Sequence, residues 1–431
     1  MPTFKIITLG CKVNQSESDL IAGGLCAKGW LQATDGPADL CIINTCTVTA
    51  RASQQSRQAV GQAVRANPDA RVVVTGCDAR ISQKRLQETP GVDEVIDPRE
   101  KLRLAEVLIG GQRPSGRTRK TDFIDYPRVF GTGRTRPFLK IQDGCDAFCS
   151  YCIVPYARGS SRSMPIPSVL KNIALLEKAG YREVVLCGIH MGCYGRDFQP
   201  RKSDLAALLT RIEKESSIER VRLSSIEPME LGREIIALVS GSRRFCPHFH
   251  VPLQSGDNEI LKRMHRPYTA EQFSETILSI RRQVPEAAIG SDVLVGFPGE
   301  KENAFANTCR LIEALPIDYL HVFPFSPRTG TPAERFPDPV PAAVIKERCR
   351  IMRRLGRQKR ADFYESHLGK CSDVLVESVG ASETGLLRGL TSNYIPVRAE
   401  GPKRLKNTFI RVKLEKTDGS RYVLGTVVNR E

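Results

Sequence analysis

The sequence predicts an α/β protein in three parts: an N-terminal doubly wound parallel sheet, a central partial (βα)6 barrel and a small C-terminal antiparallel β-barrel. Short apolar runs alternate with helical patterns over residues 1–112 and again from residue 137, as parallel β-α units do. From residue 365 onward this alternation gives way to short strand-like runs. The predicted parts are residues 1–112, a linker at 113–136, residues 137–364 and residues 365–431.

The composition indicates a folded protein with a polyanionic partner. The 431 residues are 41% hydrophobic and carry a formal net charge of +16, and no stretch is long enough to span a membrane. Such an excess of positive charge favours nucleic acid, although a well-solvated basic surface is the plainer alternative. Fourteen cysteines in a chain that lacks a secretory signal pattern favour thiols kept reduced in the cytoplasm.

Three cysteines follow predicted strands in the N-terminal part. The apolar runs FKIITLGC, DLCIINTC and RVVVTGC end at Cys11, Cys46 and Cys77, and a helix with Ser16 or Ser18 as N-cap is expected after the first run. Parallel strands end at the same edge of a sheet, where ligands of such folds bind. We therefore expect the three thiols to converge although they are distant in sequence.

The loop Ile141–Gly159, IQDGCDAFCSYCIVPYARG, carries the densest group of thiols. Cys145, Cys149 and Cys152 form a C-x3-C-x2-C run directly after the first predicted strand of the central part. A structural zinc site would need a fourth ligand, and buried packing cysteines are rarely so dense. An iron–sulfur cube with three cysteine ligands leaves one iron open for another molecule.

These motifs resemble the radical S-adenosylmethionine (SAM) methylthiotransferase family. The resemblance includes TLGCKVNQSESD, NTCTVT, VVVTGC, the loop with Tyr151 before its third cysteine, and later stretches such as HVPLQSGDNEILKRMHRPYT. It implies a [4Fe–4S] cluster on Cys11, Cys46 and Cys77, and a second, radical-generating one on Cys145, Cys149 and Cys152. It also implies SAM as radical source and methyl donor. Asn14 and Asn44 belong to the first motifs and are interpreted as polar supports of the ligands.

The resemblance further suggests which residues contact SAM. In this family the strand ends of the central barrel line the SAM pocket, and turn or cap roles are the alternative for each residue. The residues carried over are Tyr151, Gly188, Ser225, Glu227, Gln254 and Ser255. Arg266 and Tyr268 are expected either to contact substrate or to fix their loop.

The C-terminal part and the stretch before it predict RNA binding. Val344–Tyr364 contains eight Lys or Arg residues against two acidic ones, in a helical pattern. The five strand-like runs that follow resemble the TRAM domain, an OB-like RNA-binding module, although a capping barrel without a ligand is the alternative. The predicted RNA contacts are Arg353, Arg354, Arg357, Lys359, Arg360, Lys403 and Arg404.

The resemblance implies a transferase that makes a methylthio group on carbon. The wording TLGCKVNQ with INTCTVT is most similar to the bacterial branch acting at C2 of N6-threonylcarbamoyladenosine at tRNA position 37. The same reaction on N6-isopentenyladenosine ranks second, and a ribosomal protein aspartate ranks third. The implied partners are a tRNA anticodon stem-loop, an electron donor and a sulfur source. An iron–sulfur RNA-binding or redox-sensing protein without catalytic activity is the alternative from another class.

Overall fold

A computed structural model describes residues 1–100, 104, 106, 123, 133–200, 203–380 and 384–428. Most of the predicted linker, 113–136, lies outside the described residues. No helix within the described ranges is long and apolar enough to cross a membrane. The N-terminal part contains strands β1 (Thr3–Thr8), β2 (Leu31–Gln32), β3 (Leu40–Thr45), β4 (Arg71–Gly76) and β5 (Glu94–Val95), with helices α1 (Lys12–Cys26), α2 (Ala50–Ala66), α3 (Cys77–Ile81) and α4 (Gln83–Gln87).

These strands form one parallel sheet in the order β2-β1-β3-β4-β5. Buried residues of β3 alternate between the two faces: Cys41 and Ile43 pack in the cluster containing α2, while Leu40 and Ile42 pack in the cluster containing α1. Helices on both faces make the sheet doubly wound, as predicted.

The expected helix start at Ser16 or Ser18 is wrong. Helix α1 begins at Lys12, and Cys11 is its N-cap. The two serines lie buried inside the helix, where the Ser18 hydroxyl receives hydrogen bonds from Thr8 and Asn44 and the Ser16 hydroxyl accepts one from the Lys140 amide. They were misread because serine is favoured both at N-caps and at such polar contacts.

The central part contains the six predicted parallel strands. Its strands are β6 (Phe138–Lys140), β7 (Gln142–Asp143), β8 (Arg162–Ser163), β9 (Glu183–Cys187), β10 (Arg220–Leu223), β11 (His248–His250), β12 (Ala288–Val295) and β13 (Tyr319–Pro324). Its helices are α5 (Val154–Arg158), α6 (Ile166–Lys178), α7 (Leu205–Glu215), α8 (Arg233–Gly241), α9 (Asn258–Arg263), α10 (Ala270–Gln283), α11 (Glu302–Ala314) and α12 (Ala342–Glu365).

The parallel groups β6-β9-β10 and β11-β12-β13 adjoin through a bridge between Val221 and Phe245. The six strands therefore form an open arc, the partial (βα)6 barrel that was expected. Alternate strand residues such as Val184, Leu186 and Val293 pack into the main core with the outer helices, so the intervening residues face the inside of the arc.

The C-terminal part is a closed barrel of strands β14 (Cys371–Val379), β15 (Thr384–Thr391), β16 (Pro396–Pro402), β17 (Phe409–Thr417) and β18 (Val423–Val428). The predicted Asp-Gly turn joins β17 to β18, with the Asp418 amide donating to the Tyr422 carbonyl. The prediction of purely antiparallel strands needs one correction, because β16 and β18 close the barrel as a parallel pair.

Candidate functional site: two sets of cysteines

Cys11, Cys46 and Cys77 lie at the carboxyl ends of three adjacent strands. Cys11 follows β1 by a short turn, Cys46 directly follows β3, and Cys77 is the first residue after β4. Gly10 lies so close to the second thiol that a Cβ atom there would be 2.7 Å from Cys46 Sγ. The structure therefore brings together the three thiols that the strand pattern predicted.

The asparagines of the same motifs connect these strand ends. Asn14 donates to the carbonyls of Leu9 and Thr45, at 2.8 and 2.9 Å, so one side chain holds the turns after β1 and β3. Asn44 donates to the Asn14 carbonyl at 2.9 Å. Both are buried, and their hydrogen bonds hold together the strand ends that carry the cysteines.

Burial controls the chemistry of these thiols. Cys46 and Cys77 are buried, while Cys11 is exposed. Burial raises the pKa of the Cys46 thiol to about 11, with the nearby Cys77 and Cys11 adding to the shift. The Cys46 thiolate is therefore favoured by a positive centre beside its sulfur, and the three thiols together are a donor set that suits an iron–sulfur cluster.

A cavity of about 440 Å³ opens beside Cys46. Its wall includes Gly10 and three carboxamides of α2, from Gln55, Gln58 and Gln62. These glutamines lie on one face of the helix. Of the three N-terminal thiols, Cys46 lines this cavity.

The second set of thiols lies on a tightly folded loop after β6. Gly144 has a φ of +74°, and a Cβ atom there would lie 2.1 Å from the Ser160 carbonyl oxygen, so only glycine fits. The Cys145 amide donates to the Gly159 carbonyl, and Ser150 is held by the backbone of Met264 and Arg263. These contacts fix Cys145, Cys149 and Cys152 on one short loop, a donor set that suits a second cluster.

A cavity of about 540 Å³ lies against Cys149 at the mouth of the barrel. Arg266 donates to Cys149 Sγ at 3.3 Å and pairs with Glu227. On the opposite side, His190 Nδ1 lies 3.4 Å from Cys145 Sγ, and His190 Nε2 lies 2.9 Å from Glu230. The cavity thus combines acidic and basic groups beside the loop thiols.

The residues predicted to contact SAM differ in whether they line the cavity beside Cys149. Glu227 lines the cavity, and burial raises the pKa of its carboxyl although Arg266 opposes this. Tyr151 packs edge-on against Phe297, and Ser225 is exposed just after β10. Gly188 follows β9 and abuts Gln142.

The two remaining predicted residues follow β11. Gln254 has a φ of +67° and pairs through its backbone with β12. Ser255 is buried, and its hydroxyl lies 3.5 Å from that of Thr308. Of the six predicted residues, Glu227 alone lines the cavity beside Cys149 in the described part of the chain.

Three cavity residues were not predicted as ligand contacts. His190 and Glu230 were not singled out, and Arg266 was left between two roles. Their signal was weak but present, since His190 follows β9 in LCGIHMGCYG and Arg266 stands in the quoted HRPY stretch. The sequence does not show that His190, Glu230 and Arg266 line one cavity, because they belong to different β-α units.

A buried ionic network joins the two sets of cysteines. Arg158 lies at the end of α5, in the loop that holds Cys152, and contacts Asp143 at 2.7 Å and Glu17 of α1 at 3.1 Å. The same guanidinium donates to Asn14. Lys140 of β6 also binds Glu17, at 2.7 Å. The N-terminal sheet is thereby fixed against the cysteine loop.

The predicted RNA-binding residues fall into two groups. Arg353, Arg354 and Arg357 are exposed on α12, and Lys403 and Arg404 are exposed between β16 and β17. In contrast, Lys359 donates to the carbonyls of Glu313 and Leu315, and the Arg360 guanidinium lies 5.5 Å from the Tyr319 ring centre. These two side chains are engaged within the protein.

Comparison with known proteins gives two family matches along the chain. Residues 3–97 match the model of the uncharacterized protein family UPF0004, and residues 139–312 match the radical SAM superfamily. The fold also resembles the radical SAM methyltransferase TsrM from Kitasatospora setae, with a TM-score of 0.54 over 75% of each chain at 16% identity.

Similar sequences cover nearly the whole chain. The threonylcarbamoyladenosine tRNA methylthiotransferase MtaB of Aquifex aeolicus is 38% identical, covering 92% of this chain and 97% of that protein. The MtaB of Bacillus subtilis is 36% identical, covering 96% and 94%. The tRNA-2-methylthio-N(6)-dimethylallyladenosine synthase of Protochlamydia amoebophila is 32% identical, covering 95% and 93%. The chain belongs to the radical SAM methylthiotransferase family.

Proposed function

We propose that this enzyme places a methylthio group on C2 of N6-threonylcarbamoyladenosine at position 37 of tRNA, beside the anticodon. The observation that carries the proposal is the pair of three-thiol sets, which the Arg158 network holds in one rigid unit. The names of the Aquifex and Bacillus relatives support the substrate. The net charge of +16 supports an RNA partner.

Two [4Fe–4S] clusters and SAM are the cofactors of this enzyme. We assign the first cluster to Cys11, Cys46 and Cys77, and the second to Cys145, Cys149 and Cys152. When bound, the second cluster and SAM supply a carbon radical that can take hydrogen from an unactivated C–H bond. Each set has three thiols, which leaves one iron open for a further molecule.

The protein's own groups then bind and orient SAM. Arg266 is placed for a carboxylate, and Glu227 and Glu230 for an ammonium or sulfonium, in the cavity beside Cys149. Tyr151, Gly188, Ser225, Gln254 and Ser255 complete the proposed SAM contacts at the barrel mouth.

The N-terminal thiols hold the sulfur that is transferred. The cavity beside Cys46, with its carboxamide wall, is the proposed entry for the sulfur source. An electron donor completes the set of partners.

The two clusters can be tested separately. We expect Cys77→Ala to abolish the methylthio product, because the sulfur-holding site is lost, and to leave SAM cleavage to 5′-deoxyadenosine measurable under anaerobic, reducing conditions. Cys149→Ala should abolish both. A Cys26→Ala variant, which alters a thiol at the end of α1 away from the strand ends, is the matched control. Full product from Cys77→Ala would contradict the assignment, and no 5′-deoxyadenosine from the parent protein would contradict enzymatic function.

The substrate needs a separate experiment, because one relative is named for the dimethylallyl substrate. Nucleosides from cells lacking the protein should lose 2-methylthio-N6-threonylcarbamoyladenosine and retain the methylthio form of isopentenyladenosine. Mass spectrometry distinguishes the two nucleosides directly. Loss of the isopentenyl product alone would overturn the proposed substrate in favour of the second candidate.

The RNA-binding surface is proposed to comprise Arg353, Arg354 and Arg357 of α12 with Lys403 and Arg404 of the barrel, and Lys359 and Arg360 at its border. The first five are exposed cations that can reach phosphates. Replacing Arg353, Arg354 and Arg357 together by Gln should weaken RNA binding and reduce the log–log salt slope by roughly 0.9 per lost phosphate contact. Lys178, Lys214 and Arg243, exposed elsewhere on the central part, provide a matched triple control. Equal effects from both triple variants would contradict the surface.

A further inference from the structure

Strand β13 reaches all three parts of the protein. At its start, the ring of Tyr319 stacks with Tyr394 of the C-terminal barrel. Beyond its end, Ser326 accepts from the Ala50 amide, and Arg328 donates to Thr47 beside Cys46. The strand is paired on one side only within the described residues, by β12. Strand β13 therefore lies at an edge of the central arc, and it runs from the C-terminal barrel to the segment beside Cys46.

Three side chains of β13 share the inner face of the arc. Leu320 and Val322 pack toward the outer helices, so Tyr319, His321 and Phe323 point the other way. Phe323 is paired with Leu294, which packs in the same apolar cluster as Tyr151 of the cysteine loop. The inner face of β13 at Phe323 is thus next to the apolar cluster against which Tyr151 of the cysteine loop packs.

His321 and Phe323 are open to solvent although they face the barrel. The side chain of His321 is 51% exposed, and Phe323 is 44% exposed. They are two residues apart on one face, and their ring centres lie 6.5 Å apart. An aromatic ring and an imidazole at this spacing can contact a nucleobase and its substituent at once.

A chain of hydrogen bonds fixes the orientation of His321. His321 Nδ1 lies 3.3 Å from Asp292 Oδ1, and His250 Nε2 lies 2.8 Å from the same oxygen. Burial opposes ionisation of Asp292, but the two imidazoles hold the pKa of its carboxyl below the ordinary value. The ionised carboxylate accepts the Nδ1–H of His321, which aims the Nε2 edge into the open space. The described residues provide no hydrogen-bond partner at Nε2.

We infer that His321 determines substrate specificity: its Nε2–H binds the carboxylate of the threonylcarbamoyl group, while Phe323 stacks on the adenine. This inference rests on the proposed function and names the residues that select its substrate. A ring that donates to Asp292 through Nδ1 and to the ligand carboxylate through Nε2 carries a proton on both nitrogens. An isopentenyl group offers no acceptor and would bury the His321–Asp292 pair without compensation.

Binding of RNA to the cluster-loaded protein tests the inference independently of turnover. Three anticodon stem-loop RNAs, carrying threonylcarbamoyladenosine, isopentenyladenosine or plain adenosine, are compared by fluorescence anisotropy. His321→Leu should lower the affinity for the threonylcarbamoyladenosine RNA roughly tenfold or more, as loss of a charge-assisted hydrogen bond does. Its affinity for the other two RNAs should stay within about threefold of the parent value. His321→Gln should restore part of the loss, because its amide can donate to the same carboxylate.

Phe323→Ala should lower the affinity for all three RNAs by a similar factor, since stacking on the adenine does not depend on the N6 substituent. Leu278→Ala, at an exposed apolar position of α10, is the control for loss of a surface side chain. The iron content should stay unchanged in every variant. Unchanged binding of the threonylcarbamoyl RNA by His321→Leu would overturn the inference, and so would equal weakening of all three RNAs.

The result separates this inference from the proposed function. Methylthiolation of the threonylcarbamoyl RNA by the parent protein tests the function alone. If the parent modifies that RNA and His321→Leu keeps the same preference over isopentenyladenosine, the function stands and the role of His321 is refuted. If the parent does not modify it, the function itself is refuted.

Discussion

Gly10 sets the geometry of the N-terminal thiols through a single missing atom. Its φ is +96°, and a Cβ atom would approach both Sγ and Cβ of Cys46 within 2.8 Å. Neither the backbone angle nor the space tolerates another residue. The turn after β1 and the thiol after β3 can therefore lie side by side only with glycine at this position.

Gly10→Ala should prevent assembly of the N-terminal cluster and leave the cluster on the Cys145 loop intact. We expect half of the iron to be lost, with 5′-deoxyadenosine formation retained. Gly29→Ala is the matched control, because Gly29 also has a positive φ, +84°, but has no atom near its missing Cβ. Iron and sulfide analysis checks the result. Equal iron loss in both variants would attribute the effect to backbone strain rather than to contact with Cys46.

Arg158 should be far more important for stability than its neighbour Arg162. Both pair with Asp143, but the Arg158 side chain is 2% exposed and Arg162 is 24% exposed. Arg158→Met leaves Glu17 and Asp143 buried with less compensation, which should cost about 3–5 kcal/mol of unfolding free energy. Arg162→Met should cost clearly less. Urea unfolding of the two cluster-free variants measures the difference, and comparable losses would refute the special role of Arg158.

The six cysteines could be identified from sequence because each is marked by its own surroundings, either a preceding strand or a dense motif. Arg158, Arg266 and His190 were not assigned because their roles depend on partners in other β-α units. Arg158, for example, is defined by Glu17 and Asn14, more than 140 residues earlier. For Lys359 the local sequence was misleading. Its basic side chain was predicted to bind RNA, but in the fold it donates hydrogen bonds to two backbone carbonyls.

At the scale of elements, α1 carries polar groups among its packed residues, and the first cysteine is its N-cap. Asp19 lies two turns after Cys11. Burial raises the pKa of its carboxyl from 3.8 to about 7, although Arg134 opposes the shift. Its Oδ2 atom is buried without a hydrogen-bond partner among the described residues. Ionisation of the Asp19 carboxyl therefore lowers the free energy of unfolding.

The sign of the pH effect follows from the raised pKa. Because the folded form binds the Asp19 proton more tightly than the unfolded form, the contribution of Asp19 to stability falls as pH rises from about 4 to about 7 and is constant above that. Asp19→Asn should remove this fall, so the variant should gain stability over the parent at pH 8 relative to pH 4. Urea midpoints at both pH values measure the gain. A difference between variant and parent that does not change with pH would contradict the prediction.

The longer strands of all three parts were predictable because apolar runs between turn residues have few alternatives, whereas the two-residue strands β2 and β8 carry no such run. The start of α1 and the parallel pair β16–β18 were not. The first depends on serines that serve distant strands, and the second depends on how the barrel closes, a contact between segments that no local pattern encodes.

At the scale of the whole molecule, the C-terminal barrel is attached through buried arginines. Arg222 of β10 donates to the carbonyls of Thr391 and Ser392 and pairs with Glu183. Arg220 donates to the carbonyl of Asp373. The barrel therefore closes the amino end of the arc, and its attachment depends on charges that are buried in the assembled chain.

Arg222→Met should separate the unfolding of the barrel from that of the central part. Without this side chain, Glu183 loses a buried partner and the β15–β16 turn loses two hydrogen bonds. Calorimetry should show an earlier, additional transition in the variant. Arg388→Met, at an exposed position of β15, should unfold as the parent does. A single shared transition in Arg222→Met would show that other contacts suffice to couple the two parts.

The contact of Arg158 with Asn14 and Glu17 constrains the construction of hybrid enzymes. An N-terminal sheet taken from a relative would bring its own cysteines and could bind a cluster, yet it would dock correctly only if it presented an amide and a carboxylate at these two places on its first helix. A central part taken from a relative would likewise have to present an arginine at the position of Arg158. The modules of this chain are therefore exchangeable only together with the few buried polar residues at their border, which define where a functional crossover can be made.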